Sequence, residues 1–232
     1  MENPVRRRGE VTATRQPRRA ARASVQSPHF LLRRIHSLVG LVPVGAFLLF
    51  HLWENSQSRF GQEHYNTYVV EKIQNLNYVR LLEIFVIALP ILFHGVYGLV
   101  VFWMGKQNVA HYGYFRNWMW LAQRVSGVGV FLFLLLHVIG TRLLAIWDEA
   151  VRQDMFGHMK NLLSEPLFLV PYLIGLVLTT FHFCNGLWSA SIVWGLATTP
   201  RAQKIVQVAS GVAFVVITAL GVHGMLGFFL SS

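Results

Sequence analysis

The chain has 232 residues, of which 54% are hydrophobic and 13% charged, and its formal net charge is +10. That balance excludes an ordinary soluble domain and points to a polytopic membrane protein. A single cysteine, Cys184, excludes a disulfide framework and a thiolate cluster for zinc or iron–sulfur ligation, so any iron–sulfur centre must belong to a partner.

The positive charge is concentrated at the start. Residues 1–34 hold nine arginines (Arg6, Arg7, Arg8, Arg15, Arg18, Arg19, Arg22, Arg33 and Arg34) against Glu2 and Glu10. Residues 1–29 read as an Arg-rich, partly disordered tail ahead of a 30–232 membrane domain, and the positive-inside rule puts that tail in the cytoplasm. A nucleic-acid-binding arm and an organellar transit peptide are alternative readings of the same composition, although no nucleic-acid partner is expected.

Five apolar stretches follow, at roughly 31–53, 80–104, 116–147, 166–194 and 205–230. Each reaches the ~20 residues that a helix needs to cross ~30 Å of hydrocarbon. Strand-like alternation is absent, so the expected fold is an all-α membrane protein with five transmembrane helices, four of them forming an up-down bundle. Lys106 and Arg116, then Arg201 and Lys204, flank the later returns to the inner side. The N-terminus is therefore expected on the cytoplasmic side of the membrane and the C-terminus outside. Residues 56–77 and 148–166 are the outer connections.

Four histidines lie within the first four stretches and form two matched pairs, His51 with His137 and His94 with His182. At ~1.5 Å per residue His51 and His137 each lie ~30 Å from the inner start of their helices, while His94 and His182 are ~15–18 Å from the inner side. Helices one and three stand diagonally across such a bundle, as do two and four, so each pair can face across the core. Phe93-His94-Gly95-Val96-Tyr97-Gly98-Leu99 and Phe181-His182-Phe183-Cys184-Asn185-Gly186-Leu187 share F-H-x-x-x-G-L. A glycine one turn beyond the histidine leaves room for a flat macrocycle or for close helix packing.

One buried histidine is usually a hydrogen-bonded group or proton carrier; two level pairs predict two bis-histidine haems b, held non-covalently because no C-x-x-C-H occurs. Arg124, His36, Ser37 and Gln123 are candidates to hold the inner haem's propionates, and Arg142 those of the outer haem. His223 in helix five lies at the outer level and is a rival ligand. Glu54, Glu63, His64 and Tyr65 in the first outer connection are candidate proton donors for a quinone. The readings in competition are an electron-transfer subunit, including a di-haem b subunit of a hydrogenase or formate dehydrogenase, and a transporter using histidines as a proton relay.

Several segments also resemble a known family. Phe30-Leu31-Leu32-Arg33-Arg34-Ile35-His36-Ser37, the Phe-His-Leu around His51, Phe93-His94-Gly95-Val96-Tyr97-Gly98, Gln123-Arg124-Val125-Ser126-Gly127 and Phe181-His182-Phe183-Cys184-Asn185-Gly186-Leu187-Trp188-Ser189 are similar to the cytochrome b558 membrane-anchor subunits of succinate dehydrogenase, of the five-helix, di-haem type. The resemblance implies an anchor for a flavoprotein and an iron–sulfur subunit on the cytoplasmic face. It implies that His94 and His182 ligate the haem nearer the iron–sulfur subunit and His51 and His137 the distal one. It also implies electron delivery to quinone, with menaquinone favoured, and a succinate site on a partner. Related fumarate reductase anchors carry a glutamate in helix five, where this chain has His223 and no acid.

Overall fold

A computed structural model describes residues 28–231; the tail reading for residues 1–27 lies outside the described residues. The chain divides into two units, residues 1–35 and 36–232. In the first, the described residues are the opening of a helix, with the Arg34 guanidinium 5.2 Å from the Phe30 ring one turn earlier.

The five expected helices are present: α1 (His29–Phe60), α2 (Val79–Trp103), α3 (Phe115–Trp147), α4 (Pro166–Val193) and α5 (Pro200–Leu230), all long and apolar enough to cross a membrane. No strand occurs among the described residues. Local chemistry sets several boundaries. Proline opens α4 and α5, where a missing N–H costs nothing, and Thr199 caps α5 by accepting from the Ala202 N–H at 3.2 Å. In α2, Pro90 follows a π-helical stretch, Glu83–Ala88, whose wider turn absorbs the carbonyl that proline cannot satisfy.

α4 packs against α3 and α5, and α5 also lies against α1; α2 contacts α1 and α3 more thinly and buries none of its residues in the stretch Leu89–Trp103. Apolar side chains facing lipid need no burial, so close packing concentrates where small residues let backbones approach. At the outer end of α5, a Cβ on Gly224 would stand 2.9 Å from the Asn55 carbonyl oxygen, and one on Gly227 would stand 2.7 Å from the Arg59 nitrogen. Ser58 Oγ donates to the Gly224 carbonyl at 2.6 Å across this seam.

The main departure from the sequence reading is at the outer connections, which fold into short helices. Between α1 and α2 these are Gln62–His64, a π-helical Tyr65–Glu71 and Lys72–Gln74; between α3 and α4 they are Glu149–Gln153 and Met155–Ser164. Asp154 organises the junction. Its carboxylate caps the Met155–Ser164 helix at Gly157 N (2.8 Å) and accepts from Gln62 Nε2 (2.8 Å) and Asn66 Nδ2 (2.7 Å) of the other connection. Beneath it Tyr65, Val69, Phe156, Met159, Leu163, Tyr172 and Phe228 form a buried cluster that joins both connections to α4 and α5. The two connections lie outside the five spans, so burial stabilises them as in a soluble core.

Phe156 is fully buried there, so Phe156→Ala is expected to destabilise the cap by ~3–5 kcal/mol. Thermal unfolding of the detergent-solubilised chain checks this, and an unchanged midpoint contradicts it.

Candidate cofactor-binding site

The four membrane histidines meet in the expected pairs. The His94 and His182 rings face each other from α2 and α4 with centroids 6.2 Å apart and planes at 79°. His51 and His137 do so from α1 and α3 at 5.7 Å and 76°. No group of three or more His, Cys, Asp or Glu among the described residues is arranged to hold a metal ion. A metal at either pair would therefore need its remaining donors from a non-protein ligand.

The His94–His182 tier is built by two copies of one device. His94 Nδ1 lies 3.0 Å from the His36 carbonyl oxygen on α1, and His182 Nδ1 lies 3.0 Å from the Gln123 carbonyl oxygen on α3. A carbonyl can only accept, so each Nδ1 carries the proton and each Nε2 keeps its lone pair. A ring can reach a helical carbonyl only where the next turn is bare. Gly40 and Gly127, four residues after His36 and Gln123, supply that space: a Cβ on Gly127 would stand 2.8 Å from His182 Cε1, and one on Gly40 would collide with the His94 ring. The device repeats at an offset of 87 residues on the odd helices (36 to 123, 40 to 127) and 88 on the even ones (94 to 182, 98 to 186). The shared glycines Gly98 and Gly186 face the His36 and Gln123 side chains: a Cβ added there would stand 3.3 Å from His36 Nε2 and 3.4 Å from Gln123 Nε2.

Polar groups cluster around this tier. The His36 ring stacks on His94 with centroids 4.1 Å apart, and its Nε2, like the Tyr97 hydroxyl, is buried without a hydrogen-bond partner. Gln123 Nε2 donates to the His182 carbonyl (3.0 Å), and its Oε1 accepts from Asn185 Nδ2 (2.7 Å). Arg124 donates to the Val101 carbonyl at 2.8 Å and lies over the Trp120 ring. Ser37 Oγ accepts from Trp194 Nε1 at 3.3 Å.

The outer tier uses side chains instead. Asn55 Nδ2 reaches His51 Nε2 (3.3 Å) and the His51 carbonyl (2.7 Å), while Tyr65 donates its hydroxyl to Asn55 Oδ1 at 3.1 Å. His137 Nδ1 lies 3.3 Å from the Tyr172 hydroxyl. Tyr65 is thus joined to His51 through Asn55, and Glu54 is close enough to act on it electrostatically. The other sequence candidates lie apart from this network: Glu63 is exposed, and His64 sits among Phe60, Tyr68 and Gln57. Arg142 makes a two-pronged pair with Glu83 at 2.7 and 2.8 Å. His223 is exposed on α5 and makes no hydrogen bond among the described residues. Asn55, Tyr97, Tyr172, Gly40 and Gly127 escaped the sequence reading, although the 87-residue offset was a visible signal for the last two.

Together these features define a multi-pass helical membrane protein with two stacked tiers of apposed imidazoles. Residues 106–222 match the family described as succinate dehydrogenase/fumarate reductase transmembrane subunit. The chain is also 39% identical over 199 residues to the succinate dehydrogenase cytochrome b558 subunit of Bacillus subtilis (strain 168), a match covering 86% of this chain and 96% of that relative. The chain belongs to the succinate dehydrogenase/fumarate reductase transmembrane subunit family.

Burial, aided by the nearby Glu54 charge, pushes the Tyr65 phenol above its usual value of 10.0. The folded state therefore holds this proton more tightly than the unfolded chain, and its contribution to stability is lost as pH rises above 10.0. Tyr65→Phe is expected to lessen the alkaline loss of stability while leaving the tyrosinate absorbance that develops near pH 10 unchanged. A reduced absorbance step at that pH would show Tyr65 titrating as an ordinary phenol.

Proposed function

We propose that this chain is the electron-transfer anchor of a succinate dehydrogenase or fumarate reductase, holding two haems b and passing electrons from an iron–sulfur subunit to quinone. The apposition of the two imidazole pairs carries the proposal. A metal held at ~2.0 Å by a nitrogen of each ring sets the ring centroids about 6 Å apart, and the two tiers stand at 6.2 and 5.7 Å. A haem b held by two histidines would supply one-electron transfer and leave no open site for oxygen or substrate.

The chain's own residues fit this group. His94 and His182 would hold the inner haem through the Nε2 atoms that their Nδ1–carbonyl bonds leave free, and His51 and His137 would hold the outer haem. His36 Nε2 and Tyr97 OH, both buried and unpartnered, suit propionate oxygens, with Gln123, Arg124 and Ser37 close by in sequence or structure. Arg142 would serve the outer propionates only by exchanging its partner Glu83. Near the outer tier, Tyr65 with Asn55 and Glu54 forms the best-connected polar group for delivering protons to a quinone, ahead of Glu63 and His64. Menaquinone is the favoured quinone.

The nine arginines of residues 1–34 support the orientation. From His36 onward all eight acids (Glu54, Glu63, Glu71, Glu83, Asp148, Glu149, Asp154 and Glu165) lie towards the His51 ends of the helices, together with Arg59, Lys72, Arg80, Arg142, Arg152 and Lys160, whereas Lys106, Arg116, Arg124, Arg201 and Lys204 lie towards the opposite ends without an acid. The basic side would face the cytoplasm and carry the flavoprotein and iron–sulfur subunits, with residues 1–29 as a cytoplasmic tail and the C-terminus outside. Succinate chemistry would belong to those partners, in a bacterial cytoplasmic membrane.

The purified chain is expected to contain two haems b and to show b-type bands in a reduced-minus-oxidised spectrum; a histidine-relay transporter would be colourless. His94→Leu or His182→Leu should remove the inner haem and His51→Leu or His137→Leu the outer one, whereas full haem content after any of the four contradicts the assignment. Gly127→Ala, which crowds the His182 ring, is expected to weaken haem retention at the inner tier ~10-fold and spare the outer tier. Equal loss from both tiers would contradict the positioning role.

A further inference from the structure

Away from the histidines, a cavity of about 590 Å³ opens on the basic side, lined by Tyr114, Phe115, Arg116, Trp188, Lys204 and Gln207. It lies where α3 and α5 begin, beside the closing turns of α4. The beginnings of two helices bring two positive dipole ends to one place, and neither first turn contains an acid. Two cations are added to this field. Arg116 donates only to the neutral Gln203 side chain, at 2.5 Å, and Lys204 only to the neutral Gln207, at 3.4 Å. The two ion pairs among the described residues, Arg142 with Glu83 and Arg152 with Glu149, are on the other side. Trp188, in the cavity wall, has its indole Nε1 buried with no hydrogen-bond partner. Among the described residues the cavity is therefore lined by positive charge with no anion, and its wall holds one indole donor without a partner.

We propose that this cavity binds the phosphate of an anionic phospholipid of the inner leaflet, with Arg116 and Lys204 as its cationic partners. The aromatic walls select a lipid over a free anion. Tyr114 and Phe115 are exposed at the mouth, at the level where rings accompany the glycerol and upper acyl region while basic side chains reach headgroups. Arg116 presents a planar fork to two phosphate oxygens and Lys204 a point charge. The lipid would add a second bridge between α3 and α5, which the Arg116–Gln203 hydrogen bond already joins.

The test is native mass spectrometry of the full, cofactor-loaded chain titrated with phosphatidylglycerol or phosphatidylcholine, for the natural protein and for R116Q/K204Q. The proposal expects phosphatidylglycerol to bind at least tenfold more tightly than phosphatidylcholine, and expects the double variant to lose that preference. R152Q/K160Q, on the other side, should retain it, and R116K should retain most of it. A folded state is verified by unchanged thermal unfolding in phosphatidylcholine nanodiscs; should the double variant fail that check, K204Q alone gives the reading. Equal affinity for the two lipids, or an undiminished preference in the variant, overturns the proposal. Displacement of phosphatidylglycerol by millimolar inorganic phosphate would assign the site to a free anion and overturn the lipid reading. Loss of co-purifying partner subunits in the variant with lipid preference intact would assign the patch to a protein partner and overturn it too.

Discussion

The facing of one imidazole by another across the helical core is the contact on which the rest of the structure depends. A histidine in hydrocarbon is costly unless its nitrogens are satisfied, and this chain places four of them there in two tiers. The backbone cannot move freely to bring them together, because every N–H and C=O in the bilayer must stay paired within its helix. The fold answers with helix order: alternating helices put α1 opposite α3 and α2 opposite α4, so that rings from diagonal helices meet. α5 then closes the side between α4 and α1.

The two tiers are held differently, and the difference follows from their surroundings. The His94–His182 tier lies deep in the bundle and is fixed by backbone carbonyls of His36 and Gln123, exposed to the rings by Gly40 and Gly127. Backbone acceptors do not change protonation or rotamer, so they suit a rigid site. The His51–His137 tier adjoins the outer cap, where Asn55, Tyr65 and Tyr172 reach the rings with side chains. Those groups, unlike backbone carbonyls, can change rotamer and exchange protons. Among the described residues from His36 onward, the opposite side carries cations and no acid.

Much of this was legible in the amino-acid order because membranes make long-range geometry one-dimensional. Helix rise converts residue number into depth, so the histidine pairing needed only counting, and five apolar runs gave five helices. The family resemblance carried by the Phe-His-x-x-x-Gly-Leu segments and the Gln123-Arg124 region agrees with the comparisons. What stayed hidden depends on direction around the helix axis rather than on depth. His223 has the right depth, yet it is exposed on α5. Arg142 looked available, but Glu83, distant in sequence, meets it. The short helices of the outer connections were not legible because polar residues interrupt their apolar positions. Their order comes from Asp154 bridging two segments and from a cluster that no single segment contains.

The ring planes cross at 76° and 79°, and this carries into a spectroscopic signature. A haem held as proposed between such near-perpendicular imidazoles would give a highly anisotropic low-spin ferric signal, whereas parallel rings would give an ordinary rhombic one. Low-temperature electron paramagnetic resonance of the oxidised, cofactor-loaded chain is therefore the most direct measurement. Two low-spin signals with large maximal g values, one lost on replacing His94 and the other on replacing His51, are the predicted result. A high-spin signal, a rhombic low-spin signal or no iron signal would contradict the clamped pairs.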